Sequence, residues 1–600
     1  MKPPTRRSLL VVLRTRLDDH RGAGERGAVA VLVSILMMPV IMGSAALAID
    51  ISNWYYQAQR LQAAADAAAL AGSVYMPGRL VSNDDPAPKA ALAIAKANGF
   101  DPATAGTSIT WAKGTQASQL KVTITTTVKN AFGVAVGKPS QVLSRSAVGE
   151  YRGPVLMGSP CNVFANEPSN GNGEAKIATA PCTSTPDFWA TIAGPGTDKQ
   201  NGDQFSTTGC TRNSSGCTGS SSTYSRNTNT DYNPIGYFYK LSVKAPISSL
   251  TVQAFDPVFT NVGQQCTSTS LMNPWTKDKP NRFETVAGDA ANRYSRGNTD
   301  FCTGDYDYGS GTGGSAQTTF AVRDPNASQD PTAAQLHPGC TRQFKGVAGS
   351  TSSTYLRDRL DKSYTSTYDD ALAEGFRQWV TLCTITNPAV GDYYVQVRSD
   401  LPAGTTSQSA LDARNGGGLT WNGANSYALR AKVAGAASSA VTLGGFGRIG
   451  VWANSDSTDS SFHLARISSA SAGMSVDIQL FDAGDTNGAA GTISILPPTD
   501  ARSAGSPLSL ATRCTGQGEV VGSPSSPTSL TPCQLHPVSS SDGYQGQSQI
   551  IRVGLPADYT CNDASGDGCW FKIRMQFPGA VHDVTTWSTD LVGQPVRLVQ

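Results

Sequence analysis

Residues 26–73 have the sequence RGAVAVLVSILMMPVIMGSAALAIDISNWYYQAQRLQAAADAAALAGS, and this stretch decides how the rest of the chain is anchored. Its first part, 28–49, has 22 positions without a charge. At 1.5 Å per residue, a helix of that length measures roughly 33 Å, which is enough to cross a hydrocarbon core of about 30 Å. Pro39 lies in the middle of this part, where a membrane helix tolerates a kink. The pattern therefore predicts a transmembrane helix over 28–49.

The charges on the two sides of this span predict its orientation. Seven basic residues precede the span, and Asp50 follows it directly. Because basic segments stay on the cytoplasmic side, we expect 1–27 to form a cytoplasmic basic tail and the bulk of the chain to be extracytoplasmic. The alternative is a cleaved signal peptide, since Ala46-Leu47-Ala48 fits a cleavage site. We expect retention, because the helical pattern continues past that site.

Beyond the span, residues 50–74 are predicted to continue as a helical stalk. Trp54, Tyr55 and Tyr56 are predicted to form an aromatic anchor at the outer membrane interface. A stripe of mostly small residues then repeats at alternating four- and three-residue spacing, which places it on one helix face. The members of this small-residue stripe are Trp54, Ala58, Leu61, Ala65, Ala68 and Gly72. Small side chains let another backbone approach closely, and the sequence leaves open whether the partner is the protein's own next domain or another envelope protein.

This segment resembles the N-terminal segment of the Flp (tight-adherence) pilus-assembly proteins of the TadE/TadG type. The matching elements are Arg26-Gly27 before the span, the small residues between the end of the span and Asp50, Leu61-Gln62, and the stretch ADAAALAG over 65–72. The last of these is the most specific. The resemblance implies a single-pass envelope protein associated with a pilus or secretion apparatus.

The segment departs from related proteins at two positions. Leu32 stands where precursors cut by prepilin peptidase usually carry Glu. Asp50-Ile51-Ser52 lacks the second Ser of the D-x-S-x-S metal site found in von Willebrand A domains of many TadG-type proteins. These departures count against both prepilin processing and metal-dependent adhesion.

Residues 75–150 are predicted to form a small α+β unit. A short amphipathic helix is expected over 86–99, where Pro lies near the start and Gly99 at the end. Strands are expected at 107–113, 119–128 and 141–150, and the second of them contains the alternating, β-branched stretch LKVTITTTV. By analogy, a helix and antiparallel strands beside a long N-terminal helix make a pilin-like arrangement.

The remainder of the chain is predicted to form two β-sandwich (jelly-roll-like) domains, 151–440 and 441–600. Short β-rich stretches alternate with Gly-, Ser- and Thr-rich loops, and an Ala/Gly-rich segment at 434–447 marks the expected boundary. The last expected strand, at 595–599, is assigned to the second sandwich. The predicted fold class is therefore α+β, mostly β, with a transmembrane helix and stalk at the N-terminus.

The cysteines predict disulfide bonds. All 12 follow residue 160, in the part expected outside the cytoplasm. Zinc is the alternative, but the C-x2-4-C spacing that it needs does not occur. The pairs expected from short spacing are Cys210–Cys217, Cys514–Cys533, Cys561–Cys569 and Cys161–Cys182.

Neither a catalytic site nor a cofactor or metal site is expected. The five histidines are His20, His337, His463, His536 and His582. His582-Asp583 invites a catalytic interpretation, but the chain lacks a G-x-S-x-G elbow, and adjacent residues normally point apart. Asp563–Gly568 and Asp482–Gly488 have the acidic rhythm of a calcium loop, and we expect turn chemistry there instead.

The composition agrees with an extracytoplasmic, β-rich protein. Charged residues make up only 15%, Gly numbers 61, and the net charge of +2 gives no attraction to nucleic acid. The leading hypothesis is a non-enzymatic, membrane-anchored protein of Flp pilus assembly or surface anchoring, with the membrane and envelope proteins along its stalk helix as partners. The alternative is a secreted glycan-binding or glycan-active β-sandwich protein.

Overall fold

The computed structural model describes residues 7–76, 80, 82–114, 119–151, 155–167, 177, 188–211, 214–219, 227–261, 305–306, 308, 315–326, 331–348, 355–360, 362–455, 459–484, 490–578, 581–592 and 596–599. The chain divides into two compact units. Unit 1 is Met1–Tyr151 with Val596–Gln600, and unit 2 is Arg152–Pro595. Along the chain, unit 2 is therefore an insertion between two segments of unit 1.

Unit 1 consists of two helices and an antiparallel sheet. In the part of this unit that the structure describes, the helices are α1 (Arg7–Ser73) and α2 (Pro86–Ala97), and a 3-10 turn lies at Gly133–Val136. The sheet contains β1 (Thr107–Lys113), β2 (Gln119–Lys129), β3 (Ser140–Tyr151) and the C-terminal strand Val596–Leu598, in that order. Each strand predicted between 107 and 150 is observed within one residue of its expected bounds.

The C-terminal strand corrects one expectation. We expected 595–599 to complete the second sandwich, but this strand pairs with β3 of unit 1, with Arg597 opposite Glu150. A strand offers backbone donors and acceptors to any other strand, so a short β pattern does not specify its partner.

The core of unit 1 lies between α1, α2 and the sheet. It is built mainly from alanines on the helices and larger aliphatic residues on the strands, which allows the two helices to pack closely. Its fully buried members include Leu61, Ala65, Ala68, Ala69, Ala91, Ala95, Leu120, Val122 and Ile124.

Unit 2 is almost entirely antiparallel β structure, which confirms the mostly-β fold class. Its first strands are β4 (Leu156–Met157), β5 (Val163–Phe164), β6 (Trp189–Ala193), β7 (Gly209–Cys210), β8 (Cys217–Thr218), β9 (Asn227–Asn229), β10 (Tyr237–Val243), β11 (Ser249–Phe255), β12 (Thr260–Asn261), β13 (Gln317–Arg323), β14 (Leu336–Lys345), β15 (Val347–Ala348), β16 (Trp379–Thr386), β17 (Gly391–Arg398), β18 (Ala424–Ala434) and β19 (Val441–Phe446). The short helices α3 (Tyr355–Leu360), α4 (Asp370–Gly375) and α5 (Gln408–Asp412) lie between them in sequence.

The later strands of unit 2 are β20 (Arg448–Ser455), β21 (Asp459–Arg466), β22 (Ser475–Phe481), β23 (Gly491–Leu496), β24 (Arg502–Ser503), β25 (Ser506–Pro507), β26 (Cys514–Gly518), β27 (Thr528–Leu530), β28 (Gln534–Val538), β29 (Ser548–Gly554), β30 (Trp570–Gln576) and β31 (Val581–Val592). One large sheet has the order β14-β13-β17-β10-β19-β4-β21-β30-β23-β28. The other has the order β16-β11-β18-β6-β20-β31-β22-β29-β26-β27, with β5 beside β18.

The expected boundary at residue 440 does not separate two units. In both sheets, strands β10 to β19 lie on one side and strands β20 to β31 on the other. The short strands β4 and β6 join the two blocks edge to edge, so that unit 2 is one compact unit. Because β4 has only two residues and β6 only five, neither strand has a sequence pattern long enough to predict that junction.

The two large sheets face each other across one apolar core. The hydroxyl groups of Tyr239 in β10 and Tyr427 in β18 are hydrogen-bonded at 2.8 Å across the gap. In the other block, the rings of Phe462 and Trp587 meet edge to face, with centroids 5.9 Å apart. These four residues belong to a single cluster of buried side chains, so both blocks share one core.

Candidate functional site

The most distinctive surface of unit 1 is the uncovered apolar part of α1. The predicted span and stalk lie in one uninterrupted helix, α1, whose 67 residues begin at Arg7 in the predicted basic tail and end at Ser73. Val29–Ser73 contains a stretch that is long and apolar enough to cross a membrane and is fully uncovered by the rest of the protein. Between 29 and 49, where every side chain is described, only Ala46 is not exposed. Because water disfavours such a surface, lipid is its natural environment.

Asp50, the first charged residue after the span, connects α1 to a loop of unit 1. Its side chain is only 2% exposed. Its two carboxylate oxygens accept backbone N–H groups from Ala131 at 2.7 Å, Phe132 at 3.1 Å and Gly133 at 2.7 Å. These bonds satisfy donors at the start of the 3-10 turn, as an acidic cap does at a helix N-terminus. Asp50, the residue that corresponds to the Asp of a D-x-S-x-S metal site, therefore has a structural role.

Trp54 forms a second connection between α1 and the same loop. Its indole N–H donates to Oδ1 of Asn130 at 2.7 Å, and the Lys138 ammonium lies 5.7 Å from its ring centroid. Tyr55 and Tyr56 are 70% and 58% exposed. Two of the three residues predicted as an aromatic anchor thus remain available to an interface, while Trp54 positions the loop.

The small-residue stripe packs on the protein's own unit 1. Leu61, Ala65 and Ala68 are completely buried, and Ala58 is 6% exposed. A Cβ on Gly72 would lie 2.8 Å from the carbonyl oxygen of Ala87 in α2. Of the two partners that the sequence left open, the structure identifies the intramolecular one for this face of the stalk.

Gly149 shows how closely the sheet approaches the same helix. A Cβ added there would lie 2.4 Å from the carbonyl oxygen of Ala69 and 2.7 Å from its carbonyl carbon. Those atoms belong to the backbone of α1, so only a residue without a side chain fits at this point of β3. The sequence signal was a glycine within a predicted strand, which is typical of close backbone approach.

Three of the predicted disulfides are confirmed. Cys210–Cys217, Cys514–Cys533 and Cys561–Cys569 are bonded. Cys340–Cys383 is a further bond, which spans 43 positions and was not expected because short spacing guided the prediction. Cys161 is disulfide-bonded, and its predicted partner, Cys182, lies outside the described residues.

Two groups of side chains among the described residues have the composition of a metal site. They are His337 with Cys340 and Cys383, and Asp500 with Cys561 and Cys569. In both groups the cysteines are disulfide-bonded and therefore offer no thiolate to a metal. The cysteines thus have a structural role in both places.

The two acidic stretches considered for calcium have structural contacts where they are described. The Asp563 carboxylate accepts the backbone N–H of Ser469 at 3.0 Å, and the Cys561–Cys569 disulfide closes the Asp563–Gly568 loop. Asp482 accepts the backbone N–H of Gly546, and the part of its loop from 485 to 488 lies outside the described residues. That these stretches are turns and not calcium sites stays a prediction.

The described histidines are dispersed. His337 contacts the carboxylate of Asp324 at 2.7 Å, and His536 contacts the hydroxyl of Thr492 at 3.0 Å. Burial and the charge of Lys572 lower the pKa of His463 to about 4, so its imidazole is neutral at physiological pH.

Asp583 lies on β31 and is buried, whereas the side chain of His582 lies outside the described part of the chain. The Asp583 carboxylate accepts the backbone N–H of Gly484 at 3.1 Å. The expectation that the chain has no catalytic residues, His582 and Asp583 included, therefore stays a prediction.

Comparison with known proteins gives a match to a protein-family model. No curated protein and no solved structure matches the chain. The match covers the exposed span and the stalk of α1 and extends ten residues beyond the end of that helix. Residues 27–83 match the model of the Flp pilus-assembly TadE/G-like family, which confirms the resemblance found in this N-terminal segment.

Proposed function

We propose that this protein is a single-pass envelope protein with a cytoplasmic N-terminus that acts, without catalysis of its own, in Flp pilus assembly or surface anchoring. One observation carries the proposal. Within the segment that matches the TadE/G-like family, residues 27–73 belong to an uninterrupted helix whose first half is exposed and apolar and whose second half is built into a folded unit. Such a helix joins a membrane anchor rigidly to what it carries.

Two independent features support the orientation. Seven basic residues precede the span, and basic segments favour the cytoplasmic side. The disulfides of unit 2 require an oxidising compartment, and unit 2 follows the span in the chain. Both features favour a location outside the cytoplasm for the chain from Asp50 onward.

The chain connectivity suggests how unit 2 is held. It leaves unit 1 after Tyr151 and returns before Val596, where the C-terminal strand joins β3. Unit 2 is thus linked covalently to the anchored unit at both of its ends. We infer that unit 1 is the attachment module and unit 2 the part presented to other envelope components.

The anchor can be tested with charges placed in the exposed apolar surface. Leu36 and Val40 are 63% and 60% exposed, so their replacement disturbs no internal packing. The double variant Leu36→Arg, Val40→Arg should be lost from carbonate-washed membranes, since each arginine costs about 2.5–3.5 kcal/mol at the centre of a spanning helix. Leu36→Ile with Val40→Ile is the matched control and should remain in the membrane. Retention of the arginine variant would contradict a spanning role.

Topology and processing need separate measurements. A reporter that fluoresces only in the cytoplasm, fused after Gln600, should stay dark, and N-terminal sequencing should find the chain uncut at Ala48. A bright reporter, or a mature protein that begins at Ile49, would overturn the proposed topology.

The assembly role is tested in the cell that carries the gene. Deletion should abolish surface Flp pili, and the wild-type gene supplied in trans should restore them, whereas the arginine variant should not. Normal pili in the deletion strain would exclude an assembly role and leave surface anchoring.

A further inference from the structure

The loop Ala131–Gly137 has the character of a membrane-contacting segment. Its sequence, AFGVAVG, contains no charged or polar side chain. Phe132 and Val134 are 47% and 61% exposed, although surface loops usually carry polar side chains at such positions. Two large apolar side chains exposed on one short loop favour a partner that covers them.

The position of this loop is fixed by α1. Its backbone N–H groups at Ala131, Phe132 and Gly133 bond to the Asp50 carboxylate, and the 3-10 turn Gly133–Val136 contacts the helix. Asp50 follows directly on the apolar span. Ala46, one helical turn earlier, is the single residue of 29–49 that is partly covered. The loop therefore lies beside the last turn of the span.

That height along the helix corresponds to the membrane interface. About 20 residues cross the hydrocarbon core, and the headgroup region adds roughly 5–8 Å on each side. If 28–47 fill the core, Asp50 lies only about 4–5 Å beyond it at 1.5 Å per residue. The loop bound to Asp50 then lies within the headgroup region.

The side chains around the loop match the chemistry of that region. Tyr55 and Tyr56 are exposed one to two turns along α1, and aromatic residues are enriched at membrane interfaces. Lys129 and Lys138, which flank the loop in sequence, are both exposed. Ammonium groups at this height attract the phosphates of anionic lipids.

We propose that Ala131–Gly137 forms a second, shallow contact with the lipid bilayer, in which Phe132 and Val134 enter the headgroup region and Lys129 and Lys138 face lipid phosphates. This contact rests on the proposed membrane anchoring of α1, but not on the role in pilus assembly. It makes unit 1 a body held at two points, so that its orientation on the membrane is defined.

The test uses the full chain in vesicles of phosphatidylethanolamine and phosphatidylglycerol. A single thiol is introduced by Val134→Cys and labelled with the environment-sensitive dye NBD, since the described cysteines contain no free thiol. Ala112→Cys is the matched control. It is an exposed position on β1 opposite Lys121, and Lys121 is eight residues, or about 26 Å, from Lys129 along β2.

The proposal predicts opposite behaviour of the two labels. The label at 134 should be quenched by lipids spin-labelled near the headgroup and should show a several-fold lower quenching constant with aqueous iodide than the label at 112. Adding Phe132→Asp should restore iodide access at 134. Equal iodide access at both positions would overturn the proposal.

The same labels distinguish lipid contact from protein contact. A label at 134 that is protected from iodide but not quenched by the lipids would show that protein, such as a second copy of this chain, covers the loop, and this would refute lipid contact. Carbonate extraction of the same vesicles tests the anchor separately. Release of the protein would refute the span, whereas retention with an iodide-accessible label would refute the loop contact alone.

Discussion

Replacing Gly149 by alanine tests the closest approach in unit 1. The added Cβ would lie 2.4 Å from the carbonyl oxygen of Ala69, whereas ordinary contact begins at 3.4 Å. Since the clashing atoms belong to the helix backbone, no side-chain rotation relieves the overlap. Helix α1 and strand β3 must instead separate by about the difference, 3.4 − 2.4 = 1.0 Å.

The expected cost follows from two opposing effects. Overpacking a well-packed contact costs about 1–3 kcal/mol. Alanine recovers roughly 0.5–1 kcal/mol relative to glycine within a strand, because it loses less conformational entropy on folding. The net loss of stability in unit 1 should be about 1–2 kcal/mol. By the relation of 1.4 kcal/mol to each factor of ten, this loss corresponds to a roughly 5- to 30-fold increase in the opening equilibrium.

Hydrogen–deuterium exchange of the full chain in lipid nanodiscs measures this change. Peptides from β2 and β3 should exchange faster in Gly149→Ala, while peptides from β10 and β11 of unit 2 serve as the internal reference. Gly43→Ala is the matched control, because a Cβ there meets nothing within 4 Å. Exchange in β3 at the wild-type rate would refute the close packing of α1 on β3.

Four more predictions concern individual contacts. Ala65→Leu, in the buried small-residue stripe, should lower the melting temperature of unit 1, while Ala63→Leu, at an exposed position of the same helix, should not. Equal changes in melting temperature would contradict intramolecular packing of the stripe. Asp50→Asn should destabilise the loop by about 1–3 kcal/mol, because one carboxylate acceptor becomes an amide donor facing backbone N–H groups, and exchange at 131–133 should rise accordingly. Replacing Cys340 and Cys383 by alanine should lower the free energy of unfolding of unit 2 by about 4 kcal/mol, against about 2.5 kcal/mol for the Cys561–Cys569 pair, because the first disulfide closes the longer loop in the chain-entropy model. Denaturant unfolding that gives the reverse order would contradict this prediction. Burial lowers the pKa of His463 to about 4, so between about pH 6.5 and pH 4 the imidazole is protonated in the unfolded chain but neutral in the folded one. The free energy of unfolding should therefore fall by about 3 kcal/mol as the pH is lowered over that range. Unfolding titrations at the two pH values should show a smaller fall for His463→Gln.

The sequence alone predicted the features that depend on local chemistry. The uncharged run over 28–49 and the continuing helical pattern predicted one helix through span and stalk, because hydropathy and periodicity are properties of consecutive residues. The strand at 119–128 of the small unit followed from β-branched alternation. The close disulfides followed from short spacing together with the predicted compartment.

The partners of these elements were not predictable in the same way. The small-residue stripe showed which helix face is buried but not what covers it, and only the structure places α2 and the sheet there. The strand predicted at 595–599 exists, but its partner is β3, some 450 residues earlier in the chain. Cys340–Cys383 likewise depends on two strands, β14 and β16, that are distant in sequence.

The tertiary structure also decided that unit 2 is one body. The sequence indicated two sandwiches, and two blocks of strands are present in the sheets, but β4 and β6 join them through a few backbone pairs such as Trp452 with Trp189. The same holds for the loop at Asp50, whose carboxylate bonds to residues more than 80 positions away. Local patterns fix which groups must be buried or paired, whereas the groups that bury or pair them are set by long-range packing of the whole chain.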